Sequence, residues 1–272
     1  MVHIPGDYRG AGRKDVDRAE HSAAVRIDGG ATMSRVRTAV RSAVTLPARV
    51  GRFSEFLFRR SDAAFDVYPD DPAEGTVPGP DVGRVWFLGE RGELSLGVRT
   101  HELSLPAFFA RHRAARGRGT SWSIASAPSS SVRDLPSVVE GHREHLGACE
   151  VVVVMVGITD ALRVMSPLTW EQHLSDTLTA LLDALPPGAR VLVGAIPPLD
   201  NAGSLSRPAR IAAGAHGREL NRRSCAVAAD HARVDVVDFP EELTRSVWRP
   251  EAEEHRYRDT YAVWGAHLAD HA

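Results

Sequence analysis

The sequence predicts an α/β protein, a three-layer α/β/α sandwich built on a five-stranded parallel sheet. Three observations predict it. Five short apolar segments recur after residue 83, at 84–88, 121–125, 150–156, 190–196 and 233–239. Segments with apolar residues at helical spacing lie between them, and strands alternating with helices demand a parallel sheet covered on both faces. The central segment, Glu150–Val156 (EVVVVMV), is apolar without interruption. A strand buried on both faces reads that way, whereas a half-exposed one alternates.

The elements follow in order. Residues 1–32 are polar, Gly-rich and without hydrophobic period, which reads as a disordered tail, and Met33 offers an alternative start. From Met33 to Arg60 seven arginines face the single Glu55, and Val36, Val40 and Val44 mark one apolar helical face. Residues 33–67 are therefore expected as a basic amphipathic helical segment. It either packs on the domain with its arginines in water or meets an anionic membrane surface or an acidic protein. Residues 68–83 (YPDDPAEGTVPGPDVG) are rich in Pro, Gly and Asp and read as a linker. The domain proper, 84–272, then runs strand 84–88, helix 105–113, strand 121–125, helix 132–146, strand 150–156 and helix 169–185. Strand 190–196, helix 208–231, strand 233–239 and a last helix at 260–272 complete it. In the helix at 169–185, Leu174, Leu178, Leu181, Leu182 and Leu185 form the buried stripe.

The totals narrow the function. A chain of 272 residues with formal net charge −2 gives no electrostatic case for nucleic acid. Cys149 and Cys225 are too few for a disulfide framework or a four-ligand zinc site and read as packing residues. His142 and His145 lie on a charged helical face and read as solvated, so neither a metal nor a cofactor is expected. No apolar run reaches the roughly 20 residues of a membrane span, and no signal-peptide core precedes residue 30. The expected location is cytoplasmic, peripheral to a membrane if 33–60 serves one.

Ligands in such folds bind beyond the carboxyl ends of the strands. That directs attention to Gly89–Glu93, Ser126–Ser131, Gly157–Asp160 and Pro197–Asn201. Val85-Trp86-Phe87-Leu88-Gly89-Glu90-Arg91 through Leu96-Gly97-Val98, Gly157-Ile158-Thr159-Asp160 after an apolar strand, Ser166-Pro167-Leu168-Thr169-Trp170, Ile196-Pro197-Pro198-Leu199 and Tyr261-Ala262-Val263-Trp264 stand in this order. In order and spacing these blocks resemble the SGNH (GDSL-type) hydrolases, in particular actinobacterial members, from about Arg84 to the C-terminus. The resemblance implies a flavodoxin-like SGNH fold and an acyl hydrolase's site.

Carried over residue by residue, the family's nucleophilic Ser falls on Arg91 and its preceding Asp on Glu90. The glycine of the second block, an oxyanion donor, falls on Pro128 or Ser129. The third block's oxyanion Asn falls on Thr159, and its Asp on Asp160. The catalytic His falls on His255 and its orienting Asp on Ala252. A guanidinium stays protonated and offers no nucleophilic lone pair, and threonine trades an amide donor for a shorter hydroxyl. With so many roles altered, the expectation is a non-catalytic binding or scaffold module of esterase ancestry, able to hold a small anionic or acyl ligand. The alternative is an active carboxylic-ester hydrolase or acyltransferase using altered residues. Arg91 would either present its fork to an anion or pair with Glu90, Glu93, Glu251 or Glu253.

Overall fold

The structure, a computed structural model, describes residues 67–202, 205–244 and 254–272, the side chains from 257 onward in the last segment. The readings for 1–32 and Met33–Arg60, and those for the side chains of Glu251, Ala252, Glu253 and His255, lie outside the described residues.

Six strands form one sheet: β1 (Glu74–Val77), β2 (Gly83–Gly89), β3 (Thr120–Ser126), β4 (Val151–Met155), β5 (Arg190–Gly194) and β6 (Val234–Val237). Their spatial order is β1-β3-β2-β4-β5-β6. The last five in that order run parallel, as the sequence predicts, and β1 is an antiparallel addition on the edge. The expected linker 68–83 therefore contains a strand. A short edge strand hydrogen-bonds on one side only, so it tolerates the Pro- and Gly-rich composition that also marks a linker. Gly75 is needed there, since a Cβ would stand 2.6 Å from the Trp122 ring.

Eight helices lie among the described residues: α1 (Arg91–Ser95), α2 (Leu105–Ala115), α3 (Leu135–Gly141), α4 (Arg143–Leu146), α5 (Ile158–Leu162), α6 (Pro167–Ala184), α7 (Arg207–Ala228) and α8 (Glu254–Ala269). The single helix expected at 132–146 is instead a 3-10 turn, α3 and α4, broken at His142 beyond Gly141. Strand alternation sorts the core into two layers. Trp86, Leu88, Val152, Val154, Val191 and Val193 pack under α3, α6 and α7. Val85, Phe87, Val151, Val153, Met155 and Leu192 pack under α1, α2 and α8.

In α6, Pro167 sits in the first turn, where its missing N–H costs nothing. The helix buries Trp170, Leu174, Leu178 and Leu181 on one stripe. The Trp170 indole N–H donates to Ser224 Oγ on α7 at 3.0 Å, so this large ring is buried without an orphaned donor. Across the sheet, Gly265 lets α8 approach α2 closely, since a Cβ would stand 2.8 Å from the Phe109 nitrogen.

The chain runs from β2 outward to β3 and then returns past β2 to β4. That reversal makes the carboxyl ends of β2 and β4 the topological switch point, where a doubly wound sheet opens a crevice.

Candidate active-site crevice

Gly89 ends β2 against β4, and its lack of a side chain is required because a Cβ would fall onto the Met155 carbonyl. The next N–H, of Glu90, donates to that same carbonyl at 2.7 Å. This fixes the turn from which α1 springs, with Glu90 as N-cap and Arg91 as the first helical residue. Arg91 thus stands at the strand-to-helix turn after β2.

Glu90 turns inward and is 4% exposed. Its Oε1 accepts from the N–H groups of Gly157 (2.8 Å) and Thr159 (3.1 Å), and its Oε2 from the Thr159 hydroxyl at 2.5 Å. Gly157, at φ 129°, adopts a conformation that disfavours any side chain, and it opens the start of α5 so that these N–H groups converge. Burial raises the Glu90 carboxyl above its ordinary value, while the Thr159 and Gly157 donors act in the opposite direction. Thr159, 8% exposed, spends its one hydroxyl proton on Glu90.

Asp160 is fully buried. Its carboxylate accepts from Ser131 Oγ at 2.7 Å and from the Val132 N–H at 2.8 Å, tying α5 to the loop after β3. Burial raises its carboxyl too. Ser129, the candidate second-block donor, lies exposed on that loop. Both its N–H and its hydroxyl donate to Asp134 Oδ2 at 2.6 Å, and its carbonyl accepts from Arg163 at 3.1 Å. The N–H that the resemblance assigned to an oxyanion is therefore engaged at the start of α3.

Arg91 is exposed, and neither Glu90 nor Glu93 pairs with it. Its Nη2 donates to the Pro69 carbonyl at 3.1 Å, and its guanidinium lies 4.4 Å from the centre of the Tyr68 ring. Residues 67–71 thus form a strap along α1. The Val67 carbonyl accepts from the Gly97 N–H at 2.8 Å, and Asp71 accepts the His101 N–H at 3.0 Å and faces His101 Nδ1 at 2.9 Å. Gly97, at φ 78°, lies against Tyr257, and a Cβ there would fall onto the Tyr257 ring. The first turns of α8, which carry His255, dock beside α1 in this way.

Sequence reasoning took Glu93 for a possible partner of Arg91, but the structure buries it beneath α1. It is 6% exposed, and its Oε1 has no hydrogen-bond partner among the described residues. Burial holds this carboxyl well above the usual carboxylate range, the neighbouring charge of Glu90 pushes it further up, and the Ile158 N–H opposes both. Its position one helical turn after Glu90 was the available signal. Among the described residues, no three His, Cys, Asp or Glu side chains converge as a metal site, and no helix is long and apolar enough to cross a membrane.

A parallel sheet of this order, with a strand-to-helix turn and a G-x-x-D loop facing each other at its switch point, defines an SGNH-type fold. The sequence profile of the GDSL-like lipase/acylhydrolase family matches residues 93–270, well over half of the chain, and the chain belongs to that family. No curated protein matches it in sequence. Among solved structures, the lipase Lip_vut3 from a goat rumen metagenome is similar at 10% identity and TM-score 0.54, covering 70% of this chain and 97% of its own. A putative arylesterase from Agrobacterium tumefaciens str. C58 has 14% identity, TM-score 0.52 and the same coverages. The lipase/acylhydrolase from Enterococcus faecalis has 19% identity, TM-score 0.50 and coverages of 70% and 95%. At such identities the likeness is one of fold.

Proposed function

We propose that this chain is an acylhydrolase-family domain whose crevice works without catalysis, as a binding or scaffold site. One observation carries the reading. Glu90 occupies the Thr159 hydroxyl and Asp134 the Ser129 N–H, the two donors at the positions that the resemblance assigns to the oxyanion. Loss of one such donor commonly costs about 100-fold to 1,000-fold in rate. Arg91, in the nucleophile's place, has no chemistry for attack on an acyl carbon. Its exposed guanidinium keeps further N–H donors beyond the one given to Pro69, a fork suited to a small carboxylate or an acyl-phosphate.

The test is covalent mapping of the full chain with a fluorophosphonate reagent, which needs an activated hydroxyl. Ser95, Ser129, Ser130 and Ser131, the serines around the crevice, are expected to stay unmodified. Stoichiometric modification of any of them overturns the reading. Saturable, salt-sensitive binding of a small carboxylate, lost in Arg91→Ala, is the expected calorimetric result for the ligand. The alternative, an ester hydrolase or acyltransferase with altered residues, draws on the docking of α8 beside α1 through Tyr257 and Gly97. On the favoured reading Arg91→Ser restores little turnover alone, because triad members act as a unit. Strong activity from that single change would support the alternative.

A further inference from the structure

A second polar site lies away from the crevice, on the sheet face near the β1 edge. The strand register builds it. Glu74 pairs across to Ser123, and Trp86 pairs across to the same Ser123, so the three side chains stand in one row over β1, β3 and β2. Arg84 and Ser121 occupy the next row on this face. The short helix α4 and the break before it leave the outer part of the face uncovered, and a cavity of about 300 Å³ remains there. Glu74, Trp86, Ser123, His142 and His145 line it.

His145 Nε2 stands 3.0 Å from Ser123 Oγ. The His145 ring lies 6.4 Å from the centre of Trp86, and the His142 ring 5.3 Å from it. His142 Nδ1 donates to the Val138 carbonyl at 2.7 Å, so its ring is already oriented and is not a competitor for the Ser123 hydroxyl.

The geometry points to Ser123 and His145 as a nucleophile and its base, taking small activated acyl groups onto the Ser123 hydroxyl. Nucleophile and base are within hydrogen-bond reach, and the cavity is at the small end of those that hold small molecules. Ser123 Oγ bonds to the acyl carbon of an aryl ester while its proton passes to His145 Nε2. The tetrahedral centre then expels the phenolic oxygen, which takes that proton from His145. Acyl-Ser123 and a phenol result, and water completes the cycle by the same steps, releasing a carboxylic acid. His145 suits the role of base, for burial and then the charges of His142 and Arg84 lower its basicity against the opposing Glu74, keeping the ring neutral at neutral pH.

The experiment treats the full chain with p-nitrophenyl acetate and, separately, with a fluorophosphonate, then maps the adduct by peptide mass. The expected result is an adduct on Ser123, absent in Ser123→Ala and formed on the order of 100-fold more slowly in His145→Gln. The labelling rate should rise with pH through a midpoint below the ordinary imidazole value as Nε2 becomes available. An unmodified Ser123 in the folded wild-type chain overturns the proposal, as does equal labelling in a folded His145→Gln. The crevice reading is tested independently, because adducts on Ser95 or Ser129–Ser131 would count against that reading and leave the assignment of Ser123 untouched.

Discussion

Glu90 shows how a carboxylate changes a site by pointing into it. Its hydrogen bonds from Gly157 and Thr159 convert a group of convergent donors into an internal cap. Beneath it, Glu93 carries an unpartnered oxygen in an apolar layer beside Glu90 and Asp160. A carboxyl raised by burial contributes full stability below its unfolded value, and that contribution is lost as pH rises through its folded value. Wild-type stability is therefore expected to decline from about pH 5 upward on account of Glu93. Glu93→Gln should raise the thermal midpoint at pH 8 by a few degrees and make little difference at pH 5, measured by calorimetry. A wild type and variant with parallel pH profiles would show that Glu93 is not held protonated. Thr159→Val, which removes a hydroxyl from Glu90 without a large change of shape, should cost about 1–3 kcal/mol in denaturant unfolding.

At the scale of elements, the strap 67–71 and Tyr257 of α8 hold α1 and the turn after it. A helix of five residues has too few hydrogen bonds to hold itself in water, so its position depends on such packing. Asp71 anchors the strap, its carboxylate accepting from the His101 N–H and facing His101 Nδ1. Asp71→Ala is expected to quicken proteolytic cleavage between residues 67 and 74 several-fold while the sheet core keeps its protection. Unchanged cleavage would place the stability of the strap with Arg91 and Tyr68 instead. Gly97→Ala should be worse than either, since it combines a positive φ with the Tyr257 ring, and a loss above 1 kcal/mol is expected.

For the whole molecule, the antiparallel β1 extends one edge of a sheet whose central strands, β2, β4 and β5, are parallel and largely buried. Without β1, the longer strand β3 would become the edge and present its unpaired backbone groups to other chains. Gly75→Val should push β1 off the Trp122 ring, and the expected readout is concentration-dependent association in light scattering with the parallel core still folded. Removing residues 1–32, polar and aperiodic in sequence, should leave the thermal midpoint where it is. A fall of several degrees would show that this tail buries apolar surface.

The sequence by itself determined the parallel α/β class, the five central strands and the family. Each rests on local signals: an unbroken apolar run such as 150–156, a leucine stripe such as Leu174–Leu178–Leu181, and ordered blocks after strand ends. The placement of Arg91 at the start of the first helix was legible for the same reason, since it follows Gly89 and Glu90 without a gap. Tertiary structure decided what those residues touch. That Glu90 would claim the Thr159 hydroxyl, that Ser129 would give its N–H to Asp134, and that Arg91 would lie on Tyr68 rather than on Glu90 or Glu93 depend on approaches between distant segments. The edge strand β1 and the Glu74–Ser123–Trp86 row belong with these, because register across strands fixes which side chains share a face, and register is a property of pairing rather than of any one segment.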